Sequence, residues 1–252
     1  MKITFRQIAV LITTILTIII NGLANALPLN GLTTGEISDS FNTYFVPAGY
    51  VFSIWGLIYI GLIAFTIYQA SPTQRDNPRF IKISWWVVTA NLANAAWIFF
   101  WHYQIFALTV VAMLTLLVSL LNIYKGLSQK SNASRLEFWL AAVPFSIYLG
   151  WISVATIANI SDALYYFQWG QFSLSAETWM IVILAVVAAL AWAVSLRERD
   201  IAYLAVLLWA LAGIGVKFPE NGIVTTSIWV TFVLVILAFL WALFLQRKSN
   251  QL

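Results

Sequence analysis

Residues 225–245 read TTSIWVTFVLVILAFLWALFL, an uncharged run that ends against Gln246, Arg247 and Lys248. A helix needs about 20 mostly apolar residues to cross the hydrocarbon core of a bilayer, and this stretch supplies them. Seven further stretches qualify, roughly 7–27, 47–69, 83–101, 105–124, 138–158, 178–196 and 201–216, the last of them short. Of the 252 residues, 62% are hydrophobic and 9% charged, where a soluble domain carries roughly 25% charged residues. So few charges cannot build a water-facing surface, which excludes a soluble globular enzyme. An aromatic content of 16% excludes a disordered chain. The expected fold is an all-α, polytopic transmembrane helix bundle of about eight spans.

The basic residues give an independent count of spans, because cytoplasmic loops collect Lys and Arg. With eight spans one side receives Lys2, Arg6, Arg75, Arg79, Lys82, Lys125, Lys130, Arg135, Arg197, Arg199, Arg247 and Lys248, twelve of the thirteen. The other side receives Lys217 and five of the nine acids, Glu36, Asp39, Asp162, Glu177 and Glu220. Losing one helix would scramble this sorting. Both termini are therefore expected in the cytoplasm, with the protein in a bacterial cytoplasmic (inner) membrane or an organelle membrane of similar origin. The net charge of +4 forms no basic cluster, so no nucleic-acid partner is expected. Without cysteine, disulfides and thiolate chemistry are absent. Lys2, Arg6 and the sequence Ala24-Asn25-Ala26 also resemble a cleavable signal peptide, but the apolar run from Ile8 to about Leu27 is long for one. The expectation is that it stays.

No charged residue or histidine falls in the middle of a span. Intramembrane charges mark proton relays and ion pathways, so an ion pump is disfavoured, and acid–base pairs, triads and metal-bound water lack their parts. No metal site and no required cofactor are expected. His102, at a helix end, could serve as a haem ligand but reads more plainly as an interfacial polar residue. Thirteen Trp residues stand out instead. Trp85, Trp86, Trp101, Trp139, Trp169 and Trp179 lie at span ends, where aromatic belts form. Trp55, Trp97, Trp151, Trp192, Trp209 and Trp229 lie deeper and need indole partners, so most are expected to face the bundle interior. Trp55, Asn94 and Trp151 each lie eight residues from the outer end of a span, about 12 Å deep at helical rise. Asn91, Asn94 and Trp97 are spaced to share one helical face. Two readings stand: interhelical glue, or an aromatic pocket with a few polar anchors.

Smaller features complete the reading. Pro144 should kink its helix, and Ala185, Ala189 and Ala193 form a small-residue ladder suited to helix packing. The outer loops 28–46 (from Pro28) and 160–177 are long enough for either to cap a pocket. Asn159-Ile160-Ser161 matches a glycosylation sequon.

Three stretches then resemble one family. Pro47-Ala48-Gly49-Tyr50-Val51-Phe52 with Trp55-Gly56-Leu57-Ile58-Tyr59 is similar to the P-P-x-W-V-F…W-[TG]-x-L-Y signature of the TspO/MBR family, the tryptophan-rich sensory proteins that include the mitochondrial translocator protein (peripheral benzodiazepine receptor). Asn94-Ala95-Ala96-Trp97-Ile98-Phe99-Phe100 resembles N-x-x-W-S-x-F-F. The run Tyr148-Leu149-Gly150-Trp151-Ile152-Ser153-Val154-Ala155-Thr156-Ile157-Ala158-Asn159 resembles Y-L-x-W-V-x-F-A-x-x-L-N. The chain departs at Ala48, Tyr50, Ile98 and Ile147, and its spacing to Trp55 is one residue short. The resemblance implies a five-helix core over 1–160 and a three-helix transmembrane extension over 161–252. It also implies a pocket for porphyrin, haem or another apolar ligand, lined by Trp55 and Trp151 with Asn94, Trp97, Ala155 and Asn159 around it. Some relatives degrade protoporphyrin in light; Trp55 and Trp151 would be the residues concerned, and no other catalytic residue is implied. The implied partners are the lipid bilayer and an apolar small molecule such as a tetrapyrrole, and a homodimer is compatible with the reading. The leading function is a membrane receptor or sensor for such a ligand. The alternatives are a transporter of small amphipathic solutes and a scaffold that docks through the last three helices.

Overall fold

A computed structural model describes residues 3–27, 29–127, 133–170 and 174–249; Lys2, Pro28 and Lys130 lie outside them. The described residues are all helix, turn and loop, with no strand. The long helices are α1 (Phe5–Ala26), α3 (Ile54–Ala70), α4 (Pro78–His102), α5 (Phe106–Gly126), α6 (Arg135–Tyr166), α7 (Ala176–Arg197), α8 (Ile201–Gly215) and α9 (Gly222–Ser249), and a short α2 (Thr34–Asp39) precedes α3. Seven are long and apolar enough to cross a membrane; α8, at 15 residues, is the shorter apolar helix. The expected eight apolar stretches are thus all helical, and the chain is a multi-pass integral membrane protein.

Local chemistry sets the boundaries. Thr4, Thr33, Ser134, Ser175 and Asp200 each cap a helix by accepting a backbone N–H near its start, and Asn77 does so ahead of Pro78. The two helices that the sequence separates only around His102 are distinct. Gln104 takes φ 57°, and the Ile105 amide donates to the Phe100 carbonyl at 2.9 Å, closing α4 in a left-handed turn. Pro144 has no N–H for the Leu140 carbonyl, and the helix runs as a π turn over Phe138–Ala142 just ahead of it.

The chain divides into two compact units. The first is Met1–Ser40 with Ile54–Ile152; the second is Phe41–Ser53 with Ser153–Leu252. This grouping differs from a simple division at residue 160, because α6 contributes to both units and the segment before α3 joins the later helices.

In the first unit α1 packs on α3 and α4, and α4 on α5. The buried residues of α1 are Gln7, Val10, Thr14, Thr17, Asn21 and Ala24, spaced alternately three and four apart along one narrow seam. Most of that seam is polar, while Ile12, Ile15 and Ile19 point outward. Such inversion suits a helix whose surroundings are lipid, where apolar side chains gain nothing by burial and polar ones must find each other. Gly61 lets α3 approach α6: a Cβ there would stand 2.8 Å from the Pro144 Cβ. At one end Arg79 and Glu137 form a 2.7 Å ion pair.

In the second unit α9 packs on α7 and α8. The buried side of α7 is Met180, Ile183, Leu184, Val187, Ala191 and Ser195, and Ser195 Oγ donates to the Ala238 carbonyl at 2.6 Å. The alanine ladder is not this packing face, since Ala185 and Ala189 are exposed. Branched and longer side chains one turn round the helix take the contact instead. The Ala48 amide donates to the Gly213 carbonyl at 3.1 Å, and the Trp209 indole donates to the Val51 carbonyl at 3.0 Å. Gly213 is required here, because a Cβ on it would overlap Val51 Cγ2.

Gly213→Ala should therefore lower thermal stability in detergent by about 1–3 kcal/mol, the usual cost of overpacking. Adding Val51→Ala should recover most of the loss. A Gly213→Ala variant that melts like wild type would show that this approach is not tight.

Candidate functional site

The first unit holds an aromatic cluster centred on Trp55. Tyr59, one turn along α3, stacks on it at 5.5 Å and 23°. Tyr148 meets it edge-on at 5.9 Å, and Trp151 at 6.3 Å and 85°. Edge-to-face pairs at these separations are favourable beyond simple burial. Trp151 and Tyr148 are buried, and Trp55 is half-buried.

A chain of hydrogen bonds holds this cluster to α1 and α4. Asn94 Nδ2 donates to the Tyr148 hydroxyl at 2.8 Å, and its Oδ1 accepts from Asn21 Nδ2 at 2.7 Å. Asn21 also donates to the Thr17 carbonyl, and Thr17 Oγ1 donates to the Asn91 carbonyl at 2.9 Å. Asn91 Nδ2 in turn donates to Thr13 Oγ1 and Thr14 Oγ1 at 3.2 and 3.0 Å. Asn91 is thus interhelical glue. Asn94 is glue on one side and support for the aromatic cluster on the other.

Trp97 lies on the turn after Asn94. It is buried and stacks on Trp101 at 5.2 Å and 20°. Its indole N–H has no hydrogen-bond partner. A buried N–H in that state costs about 1–3 kcal/mol relative to a satisfied one.

Beyond Trp97 the end of α4 is clamped by the segment before α3. Trp101 is 3% exposed and donates to the Thr34 carbonyl at 3.2 Å, so it is a packed residue and not a belt anchor. His102 is also buried, which corrects its reading as an interfacial residue. Its Nδ1 lies 3.1 Å from the Leu29 carbonyl and its Nε2 3.1 Å from Thr34 Oγ1. A carbonyl can only accept, so in the neutral ring Nδ1 carries the hydrogen and Nε2 accepts from Thr34. With both nitrogens engaged, the ring offers no lone pair to a haem iron.

Of the residues the sequence singles out, Trp55 and Trp151 touch. Asn94 reaches Trp55 through Tyr148, and Trp97 follows one turn later on α4. Ala155 and Asn159 continue α6 in the second unit, half-buried and buried respectively. Burial of Asn159 in mid-helix also removes it as a glycosylation acceptor. Two of the deep tryptophans do not face inward: Trp209 and Trp229 are each 39% exposed. The part-exposed Trp209 still satisfies its indole inward, donating to the carbonyl of the buried Val51. Asn21 lies outside every motif, whereas Tyr59 and Tyr148 are motif positions that the resemblance did not place in the pocket. The three-and-four spacing of Thr14, Thr17 and Asn21 on an apolar helix is the signal that finds Asn21.

The second unit has a small, partly open cleft. Asn42 to Phe45 come from the first long loop, Ser161, Leu164 and Tyr165 from the end of α6, Trp169 from the loop after it, and α7 completes the wall. The expected loop 160–177 is thus shorter, because α6 continues to Tyr166.

The sequence profile of the TSPO-like protein family matches residues 7–244. The chain belongs to the TSPO-like protein family. The match does not stop near residue 160 but runs on through α7, α8 and most of α9, so this TSPO-like protein carries its family pattern in the later helices too. No curated protein matches the chain, and no solved structure does.

A double-mutant cycle tests the support of the cluster in this TSPO-like protein. Asn94→Ala and Tyr148→Phe should each destabilise, and together they should show a coupling of about 0.5–1.5 kcal/mol in thermal or denaturant melts. Additive effects would mean that the 2.8 Å contact contributes nothing.

Proposed function

We propose that this TSPO-like membrane protein is a sensory receptor for a flat apolar ligand that carries a hydrogen-bond acceptor, with a tetrapyrrole such as porphyrin or haem as the leading class. The observation that carries the reading is the buried, unpartnered indole N–H of Trp97 beside the Trp55–Tyr148–Trp151 cluster. Extended aromatic faces suit a planar macrocycle, and a single buried donor suits a propionate or carbonyl at its edge. The family resemblance assigns ligand contact to the same tryptophans. Its further residues, Ala155 and Asn159, belong to the second unit, so the reading rests on Trp55, Asn94, Trp97 and Trp151. Asn94 acts as a positioning residue, since it meets the cluster through Tyr148. In this reading both termini face the cytoplasm across an inner membrane, as the sorting of basic residues requires.

The test is a titration of the purified full chain with protoporphyrin, followed by the porphyrin's own absorbance, with empty detergent micelles as the partition control. Saturable one-site binding is expected. Trp97→Phe keeps the ring and removes the donor, and should weaken binding about tenfold. Trp55→Phe and Trp151→Phe should weaken it as well. Binding no better than empty micelles, or unchanged in all three variants, would overturn the tetrapyrrole reading and favour solute transport.

A further inference from the structure

The cleft of the second unit is built wholly from residues outside the Trp55 cluster, and its walls are of a different kind. Five rings line it: Tyr44, Phe45, Tyr165, Trp169 and Trp179. Trp169 and Trp179 form a corner, with centroids 5.2 Å apart and planes at 66°. Tyr165 is braced edge-on by Phe41 at 6.2 Å, and Tyr44 by Phe218 at 5.4 Å.

Two acidic side chains stand behind these walls. The Tyr44 hydroxyl donates to Glu177 Oε1 at 3.2 Å, and Thr43 Oγ1, itself in the lining, donates to Asp162 Oδ1 at 2.9 Å. Asp162 is 2% exposed and follows the lining residue Ser161 on α6. The Lys217 ammonium sits 5.8 Å over the Phe218 ring, which braces Tyr44. Glu177, only partly buried, places a carboxylate behind the Tyr44 ring.

The lining selects the ligand. A primary ammonium needs three acceptors and would be drawn to bare carboxylate oxygens. Here one oxygen of each acid is already taken by a hydroxyl, Tyr44 or Thr43, and five aromatic rings stand in the lining. A quaternary ammonium has no N–H to donate, packs on ring faces and responds to charge at a distance. We propose that this cleft binds a quaternary ammonium head group, a second ligand site independent of the Trp55 cluster. The head group can belong to a free cation or to a lipid.

The probe is choline, with 3,3-dimethylbutan-1-ol as its uncharged isostere, followed by saturation-transfer NMR on the full chain in an uncharged detergent. Choline should bind saturably and the isostere should not. Trp179→Leu should weaken choline binding by about fivefold or more, while Trp179→Phe, which keeps an aromatic face, should retain most of it. Glu177→Gln should weaken it less, and Trp85→Leu, an exposed residue of the first unit, should leave it unchanged. The same titration in discs of phosphatidylcholine and of phosphatidylglycerol separates the sources. Loss of choline binding only in phosphatidylcholine assigns the site to a lipid head group, and equal binding in both assigns it to a free cation. Equal binding of the isostere, no choline binding in detergent or phosphatidylglycerol, or Trp179→Leu behaving like wild type would overturn the proposal. Porphyrin binding should be indifferent to Trp179→Leu, so failure at one site is read separately from failure at the other.

Discussion

Inside a bilayer a polar side chain has no water to fall back on, and each one that the chain places there must be met by another. The first unit is organised around that constraint. Asn94 sits where three helices meet its demands at once, taking a hydrogen from Asn21 on α1 and giving one to Tyr148 on α6. Remove it and the Tyr148 hydroxyl loses its donor, while Asn21 keeps only the Thr17 carbonyl. Asn91 repeats the arrangement lower on α4, against Thr13, Thr14 and Thr17. Two asparagines therefore fix the rotation and depth of α1 against α4, and through Tyr148 they fix the aromatic cluster as well.

This arrangement explains a division of labour among aromatic residues that composition alone does not show. The rings near Asn94 are held by defined edge-to-face geometry and buried hydrogen bonds. Trp85 and Trp139 are more than half exposed and sit toward the basic ends of their helices, as belt residues do. Trp101 belongs to neither group. It clamps the end of α4 with His102, tied by Thr34 and Leu29 into a short capped turn.

The helices were legible because their signals are local and long: twenty-residue apolar runs, polar caps and basic ends. The boundary between α4 and α5 was ambiguous because it depends on the backbone of one residue, Gln104, whose side chain is ordinary. Depth arithmetic brought Trp55, Asn94 and Trp151 to one level, and the structure has Trp55 and Trp151 in contact, with Asn94 linked through Tyr148. What the sequence could not show was direction around a helix. Ala185 and Ala189 look like a packing stripe but face outward, and Trp209 has an exposed ring edge while its N–H reaches the buried Val51 carbonyl. The hydroxyls bonded to Asp162 and Glu177 were equally hidden, since Thr43 and Tyr44 precede their partners by more than a hundred residues.

The bonds from Ala48 to Gly213 and from Trp209 to Val51 join residues more than 150 positions apart. The stretch 41–53 is held covalently between α2 and α3, yet its packing partners are synthesised near the end of the chain. During translation the Ala48 amide and the Val51 carbonyl must wait for these partners while five later helices enter the membrane. The ordering of the protein is therefore not sequential: an early loop is completed last. A chain cut after α6 would not be a smaller version of the protein, because it would carry a permanently unfinished segment between its second and third helices.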